Sequence, residues 1–396
     1  MTARLLSTLA VVRMFGRMIG RLPAGHLWLL LRRMRNEKPH RFAGQTRINT
    51  FFPPYPSPAF DRFCEAVIGR RRVPFSTYLA VTGRCPYRCP HCSYAGRGEG
   101  ELPTRRMLDL IGQIKAIGTC TLGFTGGEPM LRDDLPELLA AAGPEMASIL
   151  FTTGHRLDAP AARRLAEARL TCVTVGIESA DPARHDKVRG RGGSFEEARA
   201  AVAACREAGL YTAVSTVATR RKLAGGELER MYDLAAEWGV GEFRVLAPVA
   251  TGGWLACAAE MLSPQERAEA AAFHVRHNRR RVGPAVASFA YLESAELFGC
   301  GAGYHHLFID AAGNVCPCDL TPLSFGNVTA EPLVEIWSRM AHHFPRPRCR
   351  CLMADLAGRL PDGAALPLPP AQSQRLCPPR PAGEKAPLPE AYRRLL

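Results

Sequence analysis

From residue 75 to about 250 the chain repeats one hydrophobic rhythm. A short run of apolar and β-branched residues is followed by a polar or glycine-rich break, then by a longer helical pattern. The short runs are FSTYLAV (75–81), TCTLGFT (119–125), SILFTT (148–153), LTCVTVGI (170–177), LYTAVSTV (210–217) and EFRVLAPV (242–249). Their length and β-branched content predict strands. Helices are expected between them, near 105–117, 134–142, 160–168, 194–208 and 226–238. Six β-α steps of this kind predict an α/β fold, a partial (β/α)6 TIM-like barrel with a parallel sheet and crossover helices. Such a barrel gathers its functional residues at the strand C-terminal ends. The unusual segments fall there: Cys85 to Cys92 after the first strand, TGGEP (125–129) after the second and ESADPARHDKVRG (178–190) after the fourth, with Arg244 in the sixth.

The flanks read differently. Residues 1–70 form an N-terminal extension and 71–250 the barrel; 251–295 read as a helical connector, with Ser263-Pro264 before Glu266 marking a helix start. A small Cys-bearing domain is expected at 296–355, and 356–396 is so rich in Pro that an extended tail without a packed core is expected. Residues 1–36 carry seven arginines and no acid, with Leu5, Leu6, Leu9, Val12 and Ile19 interleaved among Arg13, Arg17 and Arg21. That pattern predicts a basic amphipathic helix, which either lies on an anionic membrane surface or packs its apolar face on the barrel. An organellar leader shares this composition. The apolar runs LAVV and LWLLL are far shorter than the ~20 residues a spanning helix needs.

Composition narrows the class. The 396 residues are 47% hydrophobic and 22% charged, as in a globular enzyme. The formal charge of +14 is spread along the chain without an RNA-binding signature, so nucleic acid is not the expected partner. Fourteen cysteines in a chain this long, clustered at 85–92, 316–318 and 349–351, point to metal or catalysis in a reducing cytoplasm rather than to a disulfide framework. Cys64, Cys120, Cys172, Cys205 and Cys257 stand singly in apolar surroundings and are expected in the core.

Cys85, Cys89 and Cys92 form a Cys-x3-Cys-x2-Cys run in VTGRCPYRCPHCSY. Four thiolates usually hold a 4Fe-4S cluster; three leave one iron open to a small molecule, as a catalytic zinc keeps an open position. Pro86 and Pro90 restrict the loop, and Arg88 is expected to favour the thiolates. A zinc site would need His91 as fourth ligand, and its adjacency to Cys92 makes that a strained choice. Gly126 and Gly127 permit close backbone approach or positive φ.

With Thr125-Gly126-Gly127-Glu128-Pro129, the cysteine run resembles the radical S-adenosylmethionine (SAM) enzymes over roughly residues 75–350. The resemblance implies a 4Fe-4S cluster on Cys85, Cys89 and Cys92, with SAM chelated to the open iron. In that family, cluster reduction cleaves SAM to methionine and a 5'-deoxyadenosyl radical, which abstracts a substrate hydrogen. It further implies SAM contacts from Gly126, Gly127 and Glu128, from Glu178 and Arg189, and from Ser215 and Arg244 on later strands. Gly176 departs from the Ser common at that strand end, and His91 from a common aromatic residue. A reduced flavodoxin or ferredoxin-type protein is the implied electron donor.

Cys300, Gly313 and Cys318, spaced Cys-x12-Gly-x4-Cys, resemble the start of the SPASM or twitch domain that carries auxiliary iron-sulfur clusters. Asp310 to Gly313 reads as the turn of a hairpin. The run that completes a full SPASM domain is missing, so one auxiliary cluster is expected, on Cys300, Cys318, Cys349 and Cys351, with Cys316 as substitute for either of the last two. Zinc on the same thiols is the alternative. His305 and His306 are expected at a packing interface. The main substrate reading is a lipid, tetrapyrrole or other small metabolite; the alternatives are a ribosomally made peptide, or a zinc-stabilised binding protein without catalysis. The enzyme is expected in the cytoplasm, with attachment to the inner membrane surface allowed by the N-terminus.

Overall fold

The structure, a computed structural model, describes residues 9, 12–280, 282–361, 363–381 and 386–395. A short antiparallel pair, β1 (His40–Phe42) and β2 (Gln45–Arg47), precedes the main sheet. Six strands lie on the hydrophobic runs: β3 (Ser76–Thr82), β4 (Thr121–Gly126), β5 (Ala147–Thr152), β6 (Cys172–Gly176), β7 (Thr212–Val217) and β8 (Glu242–Leu246). Three more complete the sheet: β9 (Ala285–Ser288), β10 (His306–Ile309) and β11 (Val315–Cys316). The nine-stranded order is β11-β10-β3-β4-β5-β6-β7-β8-β9. Every pairing from β10 to β9 is parallel, and only β11 runs antiparallel, against β10. The sheet does not close, since β9 and β11 are its edges.

Alternation along the strands separates two faces. Leu79, Val81, Leu122, Phe124, Val173, Val175, Val214, Phe243 and Val245 are buried in one core with Leu110, Ile111, Leu138, Leu165, Ala201 and Met231 of the covering helices. The neighbouring positions Tyr78, Thr125, Phe151, Ser215 and Arg244 face a lumen instead.

The structure departs from the sequence expectation in five places. The segment 178–190, read as a loop, contains a helix, Pro182–Arg189; Asp181 caps it by accepting from the Arg184 N–H (2.8 Å), and Gly190 ends it at φ +67°. The connector 251–295 is not wholly helical, because Ala285–Ser288 is long enough in apolar residues to add β9 beside β8. The small Cys-bearing segment is continuous with the barrel sheet, through β10 beside β3.

The fourth departure is the Pro-rich tail, which packs. Leu360, Leu368 and Cys377 join the main core, and Leu368 exchanges backbone hydrogen bonds with Pro322 and Ser324 (2.9 and 3.0 Å). Its isolated large apolar residues find ready-made niches, so no internal core is needed. At the other end, Leu5 and Leu6 of the expected basic helix lie outside the described residues. The rest of the N-terminal segment is not one helix: a 3-10 turn at Gly16–Met18 breaks it before a second helix, Ala24–Met34. Met14, Met18, Leu22 and Met34 pack with Ile48, Phe60, Cys64 and Leu395, while Leu9, Ile19 and Trp28 are more than half exposed. No helix among the described residues is long and apolar enough to cross a membrane.

Candidate functional site

The cysteine loop leaves the end of β3 and lies against the end of β4. Gly126 (φ +130°) and Gly127 pack on backbone: a Cβ built on Gly127 would lie 2.0 Å from the Arg84 carbonyl oxygen. The Gly127 and Glu128 N–H groups donate to Thr82 O and Arg84 O (both 2.8 Å). The two glycines therefore let the cysteine loop dock, and the close approach they permit is to protein backbone. Glu128 is fully buried, and its carboxylate is already supplied with donors. Oε1 accepts from Thr152 Oγ1 (2.7 Å) and Met130 N (3.1 Å); Oε2 accepts from Thr153 N (2.8 Å) and Thr153 Oγ1 (2.6 Å). Its role in this state is to tie the end of β4 to the end of β5. On the far side of the loop, the Gly253 N–H donates to Cys92 O (3.0 Å).

All three thiols are free, Cys85 exposed and Cys89 and Cys92 part-buried. The cation beside them is Arg189, whose Nη1 donates to Cys89 Sγ (3.5 Å); Arg88, expected in that role, is exposed and contributes its backbone N–H to Arg189 O (3.1 Å). Burial nevertheless holds the Cys89 thiol above its usual pKa, with Arg189 opposing. Metal binding must therefore displace the proton.

Glu178 sits at the centre of a buried charge cluster. Its Oε1 lies 3.1 Å from His91 Nε2 and 3.1 Å from Arg189 Nη2; its Oε2 lies 3.4 Å from Lys222 Nζ. Burial alone would raise its pKa, but His91, Arg189 and Lys222 outweigh it and hold the carboxyl well below the usual range. His91, set next to a loop cysteine, is thus turned away to a carboxylate and stands near the Trp254 ring (5.5 Å). Gly176 explains its own departure: a Cβ there would fall 2.4 Å from Arg189 Nη2, so only a bare strand end lets the guanidinium lie across it. The Glu178 N–H donates to His185 Nδ1 (3.1 Å), and burial pushes His185 down to about 4, so that ring is neutral.

Ser215 and Arg244 stand on the lumen side of their strands. Both line the lumen, a cavity of about 400 Å³ that none of Cys85, Cys89, Cys92, Glu128, Glu178 or Arg189 lines. Arg244 sits mid-strand between the Phe151 and Phe289 rings (5.4 Å each), 3.7 Å from Glu242; its Nε and Nη1 have no hydrogen-bond partner. Arg244, expected on a later strand end, thus lies in the middle of Glu242–Leu246 on the lumen side.

The second cysteine group is only partly assembled. Cys300, Cys318 and Cys351 line the lumen together, and Cys300 lies against the Cys351 thiol, a contact that with burial drives its pKa well up. Cys349 does not join them: it donates to Pro387 O (3.4 Å) on the outer side. Cys316, the substitute, is fully buried against Phe308 and accepts from Arg97 Nη1 (3.5 Å). The Asp310 to Gly313 turn forms as expected, with the Gly313 N–H donating to Asp310 O (2.9 Å). His305 and His306 both face the lumen, His305 stacked on Phe75 (4.2 Å). Of the single cysteines, Cys64, Cys120, Cys172 and Cys205 are buried; Cys257 is only part-buried.

Lys222, Thr152 and Thr153 escaped the sequence reading. Lys222 is one of several basic residues in TRRKLAGG, and nothing local marks it. Thr152-Thr153 at the end of the third run was a readable polar pair facing Glu128.

Known proteins resemble this chain in sequence and in fold. Residues 79–235 match the family model described as Radical SAM superfamily, and residues 300–351 that described as SPASM, iron-sulfur cluster-binding domain. A PqqA peptide cyclase of Streptomyces rochei is 33% identical over 281 residues, covering 67% of this chain and 75% of that protein. An AdoMet-dependent heme synthase of Nitratidesulfovibrio vulgaris is 27% identical over 288 residues, covering 66% and 78%. Among solved structures, Streptococcus suis SuiB bound to precursor peptide SuiA superimposes with a TM-score of 0.57 at 16% identity, covering 70% and 68%, a likeness of fold.

Proposed function

Because the chain belongs to the radical SAM superfamily and carries a SPASM domain, we propose that it is a maturase acting on a ribosomally made peptide. Cys85, Cys89 and Cys92 are the residues to hold the 4Fe-4S cluster; three free thiols on one loop, docked through Gly126 and Gly127, fit that group. When bound, the reduced cluster supplies reductive cleavage of SAM and, through it, a 5'-deoxyadenosyl radical that takes a substrate hydrogen. The protein's own part is positioning. Arg189 steadies Cys89, Glu178 holds His91 and Arg189, and the lumen admits the reacting group while its aromatic walls exclude water. A reduced flavodoxin or ferredoxin-type protein is the electron donor that this reading calls for.

The observation that carries the peptide reading is the one-third identity, over two thirds of the chain, to a protein named as a peptide cyclase. A second reading has its own support in the lumen. Phe15, Met18, Leu30, Phe52, Phe63 and Phe298 make that wall apolar, exposed Arg70 and Arg71 stand on its lining, and buried His26 leaves its Nδ1 unpaired there. An anionic long-chain amphiphile, drawn from a membrane on which the N-terminus rests, matches that chemistry.

One experiment separates them. The reconstituted enzyme is given SAM and reductant with either a peptide encoded beside its gene or a membrane lipid extract. The first reading expects the peptide to stimulate 5'-deoxyadenosine formation at least tenfold and to change in mass. Stimulation by the lipid fraction alone overturns it in favour of the second.

A further inference from the structure

We propose that the auxiliary iron-sulfur centre of this chain is held by three thiolates, Cys300, Cys318 and Cys351, and by the imidazole Nε2 of His306. This holds whichever substrate the enzyme takes. Cys300, Cys318, Cys351 and His306 all line the lumen. The Cys318 sulfur, a His306 ring nitrogen and a carboxylate oxygen of Asp319 lie within 4.8 Å of one another. Backbone ties bring the two halves together: the His306 N–H donates to Gly301 O (3.0 Å), and Cys300 and Arg348 exchange N–H···O bonds (2.7 and 3.0 Å). None of the other cysteines in or beyond this segment faces the group. Cys349 faces Pro387, Cys316 is walled off behind Phe308 and Arg97, and Cys377 is buried in the helix-side core.

The ring of His306 is prepared as a ligand. Its Nδ1 lies 2.8 Å from Ser76 Oγ, and its Nε2 lies 3.2 Å from Asp319 Oδ1. A metal-bound imidazole must carry its proton on the other nitrogen and donate it to a neighbour that fixes the ring. Ser76 Oγ is placed to accept it. Asp319 also accepts from the Cys318 thiol (3.3 Å), so this carboxylate faces the proton that thiolate ligation displaces. A neutral nitrogen in place of a fourth thiolate leaves the centre one negative charge fewer, which eases its burial beside an apolar lumen. Nitrogen ligation also raises the reduction potential of such centres.

The test uses the full-length chain carrying Cys85→Ala, Cys89→Ala and Cys92→Ala, so that only the auxiliary centre is seen. After anaerobic reconstitution and reduction, pulsed EPR reads directly coordinated nitrogen, and iron content is measured in parallel. A strong imidazole nitrogen coupling is expected, unchanged in Cys349→Ala, Cys316→Ala and Asp319→Asn. His306→Cys is expected to keep the iron, lose the coupling and shift the midpoint potential downward, with circular dichroism confirming the fold. Absence of nitrogen coupling in the parent, loss of iron in Cys349→Ala, or recovery of zinc alone overturns the assignment.

Discussion

Arg189 is the residue on which two halves of the site meet, touching Cys89 with one nitrogen and Glu178 with another across the bare Cα of Gly176. Gly176→Ala forces that guanidinium off the strand end; anaerobic reconstitution is expected to give a protein that folds but holds its first cluster less firmly, read as faster iron loss to a chelator. Removing the charge at the centre is costlier. Glu178→Gln leaves Arg189 and Lys222 without their anion, a change of about 3–5 kcal/mol by the usual cost of breaking a buried pair. The sign with pH comes from the depressed carboxyl. A group held below its unfolded pKa stabilises at pH values above the unfolded value, and that share is lost as pH falls through the acid range. Urea melts of the two proteins should differ fully at pH 7 and converge as the pH is lowered below the ordinary carboxyl pKa. The sequence made Glu178 and Arg189 visible as candidates, by their place after a strand. It did not show their mutual pairing, because the helix Pro182–Arg189 that folds Arg189 back on Glu178 was not legible and the partners His91 and Lys222 come from two other stretches of chain.

At the scale of elements, the apolar runs were legible because a strand packed between helices and lumen must be apolar on one face throughout, and each of the six lies within three residues of its expected bounds. The helix Pro182–Arg189 was not, since its polar sequence lacks an apolar stripe; its start and stop signals, Asp181-Pro182 and Gly190, were present but short of a periodic pattern. That helix carries Arg189, so its cap reaches the site. Asp181→Ala is expected to cost about 1 kcal/mol in chemical denaturation, and to weaken SAM binding severalfold by calorimetry, while Ser57→Ala, which removes the cap of the helix Pro58–Ile68 and has only Phe60 and Pro54 as partners, costs a similar amount with SAM binding unchanged. Equal SAM affinities in the two variants would separate the cap from the site.

Across the whole molecule, the terminal segments were the least legible. Proline-rich composition speaks against a self-contained core, but it is silent on docking against a core built by other residues. Leu368 tests the docked tail: Leu368→Ala is expected to destabilise the fold by roughly 2–5 kcal/mol in urea, as for a buried leucine, where a free tail would show no change. The lumen was likewise invisible in the sequence, because its wall collects residues from the N-terminal extension, the barrel strands, the cysteine segment and the C-terminus. In the proposed function the radical chemistry begins at the loop of Cys85, Cys89 and Cys92. The direct measurement is the yield of 5'-deoxyadenosine from SAM under strong reductant, for the anaerobically reconstituted chain and for each of those cysteines changed to Ala. Formation of the nucleoside by the natural chain and its loss in all three variants is the predicted result; an intact SAM pool with the natural chain, or equal cleavage by the variants, would contradict it.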